Sequence, residues 1–321
     1  MNHYSLKYSL IFLITILIFL PGCKPKSTII SEQKSGRPPE GLIPLQSIEG
    51  VVLGKKISEP FGLTSDMAGH VYLVDAGNNR LIRFNEDLKP VRDAGGYGGD
   101  EGLLNSPSHI SIDNNLNLYV ADGGNQRVAV YDTRLNYAKQ IELTDPDDPV
   151  KFGRPAGLRV NRYGELWVAD RDKSKIWIFN NIGLFDRSIG GIESTGGFLL
   201  SPAGITSDRQ GRTLVCDKGN RLVKIYDSFG IFLSEFGHRQ MENPTGISID
   251  NQGNIWVLDS KRPGLFCFDS DGNLIFTPEE YDYSGDYVLI KPVDLTITPD
   301  NKMIISDFGK DRLLVYQILY P

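Results

Sequence analysis

Apolar and polar residues alternate along most of this chain in short runs, and Gly, Asn, Asp or Pro interrupts each run. Alternation over five or six residues predicts β-strands with one buried face, and the punctuation predicts tight turns. The runs fall in a repeating frame. Pro60-Phe-Gly-Leu-Thr-Ser-Asp66 is followed by Val71-Tyr-Leu-Val-Asp75 and then by Arg80-Leu-Ile-Arg-Phe84. The frame starts again at Pro107, Pro155, Pro202, Pro244 and Pro292. In all six copies the Pro stands 15 residues before an Asp and 24 residues before an aromatic side chain.

Each copy reads as three strands joined by turns, and a looser fourth run, such as Ile231-Phe-Leu-Ser-Glu-Phe236, leads to the next Pro. Four strands in about 42–48 residues make one propeller blade. A blade cannot bury both faces alone, so six copies stack around a central channel. The expected fold is all-β: a six-bladed β-propeller with four-stranded blades. The last copy ends at Pro321 with no room for its fourth strand, while residues 42–53 lie unassigned before Pro60. This N-terminal strand is expected to close the last blade, because an open ring would leave two unpaired sheet edges.

The pattern Pro-x-Gly-Leu/Ile, Val-Ala-Asp and Gly-Asn-x-Arg resembles the NHL repeat. Asp75-Ala-Gly-Asn-Asn-Arg80 and Asp122-Gly-Gly-Asn-Gln-Arg127 are close matches. Asp217-Lys-Gly-Asn-Arg221 reads as the same turn with one residue missing, and the turns of the other three copies are degenerate. The resemblance implies the propeller. It does not by itself imply a function, since such propellers host enzymes, RNA binders and protein-binding sensors.

Residues 1–8 carry one Lys and no acid, and residues 9–20 are almost purely apolar. That run is too short to span a bilayer comfortably but suits a signal peptide. It ends in Leu20-Pro21-Gly22-Cys23, which resembles a bacterial lipobox, implying cleavage and acylation at Cys23. The expected organisation is a lipoprotein signal peptide at 1–22, a flexible tether at 23–40 and the propeller at 41–321. The expected location is the bacterial cell envelope, as a membrane-anchored lipoprotein facing the periplasm or the cell surface. A net charge of −6, from 34 Lys+Arg against 40 Asp+Glu, speaks against nucleic acid as a partner. Three cysteines are too few for a disulfide scaffold. Cys216 and Cys267 could join adjacent blades but are expected to be buried free thiols.

The Asp at the end of each second strand (75, 122, 170, 217, 259 and 307) suggests a catalytic ring. The simpler reading is structural, because an Asp before a Gly/Asn turn accepts loop N–H groups and the following Arg. Function is sought where the channel opens. In the innermost strands the second residue after Pro is Gly in four copies, and His109 and Asp294 in the others. The fourth residue is Ser or Thr except for Arg159. His109, Arg159 and Asp294 are therefore the candidate channel ligands. His109 and Asp294 stand on blades flanking the first, a placement that does not require contact.

Loops beside each Pro and after each motif Asp share this mouth. They bring Arg154, Arg171, Lys173, Lys218, His238, Arg239, Lys261, Arg262 and Lys291, against mostly acidic turns at the other end. Arg154, His238, Arg239, Lys261 and Arg262 complete the candidate ligand set for an anionic partner drawn in by the field. No catalytic residue, metal ligand or cofactor is expected. The function expected is a non-catalytic, lipid-anchored and monomeric binding module for a protein, peptide or glycan. The alternative is a metal-dependent propeller enzyme. A peptidyl-hydroxyglycine lyase would need three His about a zinc ion, yet after the signal segment the chain has only His70, His109 and His238. A lactonase-like hydrolase would need Asp294 and further oxygen ligands around a metal ion.

Overall fold

Antiparallel pairing turns each copy of the frame into one sheet. The computed structural model describes residues 36–143, 152–191, 197–262, 264–278 and 285–321. The expected signal peptide, the expected lipidation site Cys23 and the expected tether up to residue 35 lie outside the described residues. Blade 1 consists of Pro60–Ser65, Val71–Asp75, Arg80–Phe84 and Pro90–Gly95, paired in sequence order. Blades 2 to 5 repeat this order from innermost strands Pro107–Ile112, Pro155–Val160, Pro202–Ser207 and Pro244–Ile249, and blade 6 begins it at Pro292–Ile297. Each innermost strand packs on the next, and the sixth packs on the first, closing a ring.

The ring closes as the sequence predicts. Gly41–Glu49 forms the outer strand of blade 6 and pairs antiparallel with Arg312–Leu319, with Leu42 opposite Ile318 and Glu49 opposite Arg312. Leu42 is buried in the blade 6 core with Tyr316 and Ile318. Joining the first strand to the last removes the free edges and ties the two ends of the chain together.

Strand direction sorts the connections onto two faces. Strands one and three run away from the Pro, and strands two and four return. The loops leading to each Pro and the turns after each motif Asp therefore share one face, here the mouth face. Turns between strands one and two and between strands three and four share the other, the base face.

Periodicity explains what lies between the sheets. The third residue after each Pro (Leu63, Ile110, Leu158, Ile205, Ile247 and Leu295) is buried between blades. So is the aromatic that ends each third strand: Phe84, Tyr131, Phe179, Tyr226, Phe268 and Tyr316. The buried Tyr226 hydroxyl donates to the Gly197 carbonyl at 2.6 Å, which satisfies the polar tip.

The motif Asp side chains are fully buried and tie the loops together. Asp75 accepts the Ser58 N–H at 2.8 Å, Asn78 Nδ2 at 2.9 Å and Arg80 Nε at 2.7 Å. Asp122 repeats this with Asn105, Asn125 and Arg127. Blade 4 corrects one detail of the sequence reading. Its turn lacks no residue: Arg221 occupies the left-handed position (φ 61°) that Asn79 holds in blade 1, and Leu222 stands where Arg80 stands. The third strand therefore begins at Leu222. Without an Arg beside it, Asp217 has its carboxyl pushed up from the ordinary range by burial, against the hydrogen bonds from Asn220 and Leu200. Cys216 and Cys267 are free thiols, both buried.

Candidate functional site

Where six innermost strands meet, there is little room for side chains, and glycine sets the spacing. A Cβ at Gly157 would lie 2.1 Å from the Ala203 carbonyl oxygen, and one at Gly204 would lie 2.4 Å from that of Thr245. A Cβ at Gly62 would lie 2.6 Å from the Cα of His109, and one at Gly246 would lie 2.7 Å from that of Asp294. The second position of these strands thus points at the neighbouring blade, and only blades 2 and 6 carry a side chain there. Gly62 leaves the space between them open.

His109 and Asp294 meet across that space, with Nε2 3.3 Å from Oδ2. Their contact departs from the separate placement that blade order alone allows. The missing Cβ of Gly62 brings them together. Asp294 is almost fully buried; its Oδ2 also accepts the Leu63 N–H at 2.9 Å, and its Oδ1 accepts the Leu295 N–H at 2.9 Å. Burial pushes its carboxyl above the ordinary range, while His109 and the two backbone donors pull the other way. His109 Nδ1 is buried with no hydrogen-bond partner.

These two residues line a cavity of about 310 Å³ at the mouth of the channel. Its wall also holds Phe61, Arg171, Lys218 and Lys291. Arg171 and Lys218 each follow a motif Asp directly, and Lys291 precedes the Pro of blade 6. None of the three has an ion-pair partner among the described residues. Lys291 instead sits over the Phe308 ring at 4.3 Å. Burial, reinforced by the nearby charges of Arg171 and Lys291, pushes the Lys218 amine below its ordinary range. An adjoining groove of about 590 Å³ extends over blades 1 to 3 and shares Phe61, Ser108, Pro155 and Arg171 with the cavity. Three cations without ion-pair partners among the described residues thus give the wall of this cavity a local positive charge.

The other expected ligand residues scatter. Arg154 lines the groove, but Asp172 takes its guanidinium through Nε and Nη2, both at 3.0 Å. His238 faces Glu235 at 2.9 Å on the outer part of the mouth face, and Lys261 pairs with Glu242 at 3.0 Å. Arg239 and Arg262 are exposed and lie outside the cavity wall. Arg159 lines neither cavity; burial pushes its guanidinium down, and its Nε has no partner. The stronger set, Arg171, Lys218 and Lys291, had a signal in the frame. The residue after the motif Asp lines the mouth in five blades, as Ala76, Gly123, Arg171, Lys218 and Ser260.

His70 holds Asp66 on the base face at 2.8 Å, His109 is in the channel, and His238 is at the rim. Among the described residues no three His, Cys, Asp or Glu side chains gather as a metal site. The His residues described do not fit a three-His zinc centre, and among the described residues no second carboxylate joins Asp294 in a metal site.

Fold and repeats together define the class: this chain is a six-bladed propeller that carries NHL repeats, the NHL repeat family matching residues 104–131 and 152–179. It is similar to the protein brain tumor of Drosophila melanogaster, 25% identical over 127 residues, covering 39% of this chain and 12% of that one. It is also similar to a probable peptidyl-alpha-hydroxyglycine alpha-amidating lyase of Caenorhabditis elegans, 26% identical over 128 residues, covering 38% and 37% of the two chains. The matches thus span well under two thirds of both relatives. A streptogramin B lyase structure superposes with a TM-score of 0.62 at 13% identity, over 85% of this chain and 97% of its own. At that identity the likeness is one of fold.

Proposed function

We propose that this protein is a lipid-anchored, extracytoplasmic binding module that holds an anionic group of a protein, peptide or glycan partner at the mouth of its propeller. One observation carries the reading: Arg171, Lys218 and Lys291 converge on a single cavity without acidic partners. Lys218 is half-buried without an acidic partner, which costs folding energy, and an anion bound there recovers it through charge-assisted hydrogen bonds. Anchoring at Cys23 rests on the lipobox resemblance, and it would hold the module in the bacterial envelope. An enzymatic role would draw on the His109–Asp294 contact. With no third ligand beside that pair, no metal-dependent step follows from it.

Arrays of peptides and glycans test the reading. The full chain should retain carboxylated, sulfated or phosphorylated members, and Lys218→Gln with Arg171→Gln should lose them. Retention of neutral members by both proteins equally would overturn it.

A further inference from the structure

The base face of blades 3 and 4 carries a cluster of large apolar side chains in solvent. Ile182 and Leu184, in the turn before the outer strand of blade 3, are 67% and 61% exposed. Phe229 and Ile231, in the same turn of blade 4, are 74% and 62% exposed. The two turns are neighbours. Arg187 of the blade 3 outer strand donates from Nε to the Phe229 carbonyl at 3.3 Å, and a Cβ at Gly230 would touch Ile189. A turn normally exposes polar residues, and four of these side chains together are not explained by packing within the chain.

Positive charge borders the cluster. Arg162 and Arg209 are exposed on the adjacent turns between strands one and two, and neither has an acidic partner among the described residues. Arg162 donates to the Arg209 carbonyl, and Arg209 donates to the carbonyl of Asn251 in blade 5. Of the acids nearby, Glu165 and Asp186 pair with Arg187, Asp208 pairs with Arg212, and Asp227 accepts the Phe229 and Ile231 N–H groups of its own turn.

The chain also arrives on this face. The Arg37 carbonyl accepts Asn254 Nδ2 at 2.9 Å, and Gly36 lies against the Gln252 backbone, both in the blade 5 turn next to Arg209. Twelve residues separate Cys23 from Gly36. Even fully extended, the chain from Cys23 to Gly36 reaches at most about 45 Å. The described chain therefore starts at the base face, within that reach of an anchor at Cys23.

We propose that Ile182, Leu184, Phe229 and Ile231, with Arg162 and Arg209, form a docking surface for the anionic lipid bilayer in which the chain is anchored. Apolar side chains enter the headgroup region while the guanidinium groups meet lipid phosphates, the pairing used by surface-bound amphipathic segments. The protein would then stand with its base on the membrane and its cationic mouth turned outward to the partner. This inference rests on the anchoring proposed above.

The test uses the full chain with vesicles of phosphatidylethanolamine and phosphatidylglycerol, followed by flotation and by amide hydrogen exchange. The full chain is expected to float. Exchange in the turns at 180–184 and 227–231 is expected to slow by about tenfold or more on the vesicles, and the mouth turns at 171–174 and 218–221 to stay unchanged. Phe229→Ser with Ile231→Ser, both at exposed sites, should still float but lose that slowing. A chain that floats with no slowing at these turns overturns the docking and leaves the anchor standing. Slowing that appears without vesicles as protein concentration rises overturns it too, in favour of a second copy. If Cys23→Ser floats as well as the native chain, the lipid anchor fails, while exchange on the vesicles still judges the docking.

Discussion

A glycine and the two side chains beside it set the chemistry of the channel mouth. Gly62 lets His109 and Asp294 approach to 3.3 Å, and its missing Cβ cannot be restored without striking the His109 backbone. Gly62→Ala should therefore cost about 1–3 kcal/mol of stability, read by urea unfolding. Asp294 tests the electrostatics of the same place. Burial raises its carboxyl, so as pH rises the unfolded chain gives up this proton before the folded chain does. Its contribution to stability then falls from the ordinary carboxylate range, about pH 4, up to the raised folded value. Asp294→Asn removes that loss, so its stability relative to the native chain should climb with pH across this window and then level off. Unfolding measured between pH 4 and 8 decides it, and a difference that stays flat or falls would refute the assignment. Both residues were legible in the sequence as departures from a glycine register. Their contact was not, because it depends on how closely neighbouring blades approach. Nor could spacing tell which cations are neutralised: Arg154 is taken by Asp172 from another turn, whereas Lys218 faces the cavity unpaired.

Strands and turns were the most legible part of this protein, since a 15-residue Pro-to-Asp spacing holds only if each blade repeats the same hydrogen-bond register. The closing strand was legible by elimination: the last copy lacked a fourth strand and the first was preceded by one too many. Its weight in stability can be measured at Leu42, which is 5% exposed inside the blade 6 core. Leu42→Ala should cost about 2–4 kcal/mol. A calorimetric melt showing a shift as small as that of an exposed position on the same strand, such as Leu45→Ala, would mean the ring holds shut without this packing. The blade 4 turn was misread because Arg221 looks like the motif Arg. Only the backbone, with Arg221 in the left-handed region, shows that Leu222 has taken that place.

At the scale of the whole molecule the two faces differ in chemistry. The mouth face concentrates unpaired cations around a cavity. The base face carries acidic turns interrupted over blades 3 and 4 by the apolar cluster. Net charge hides this division, since a chain at −6 still concentrates local positive charge where three cations converge. The most direct test is the binding of a fluorescent tetraglutamate peptide to the full chain and to Lys218→Gln, titrated at rising salt and rising pH. The native chain should bind, with affinity falling as salt screens the cations and again as the lowered Lys218 amine loses its proton below the ordinary lysine range. Loss of one charged hydrogen bond should weaken the variant by about tenfold or more. Equal affinity in the two proteins, indifferent to salt, would contradict the mouth as the binding site.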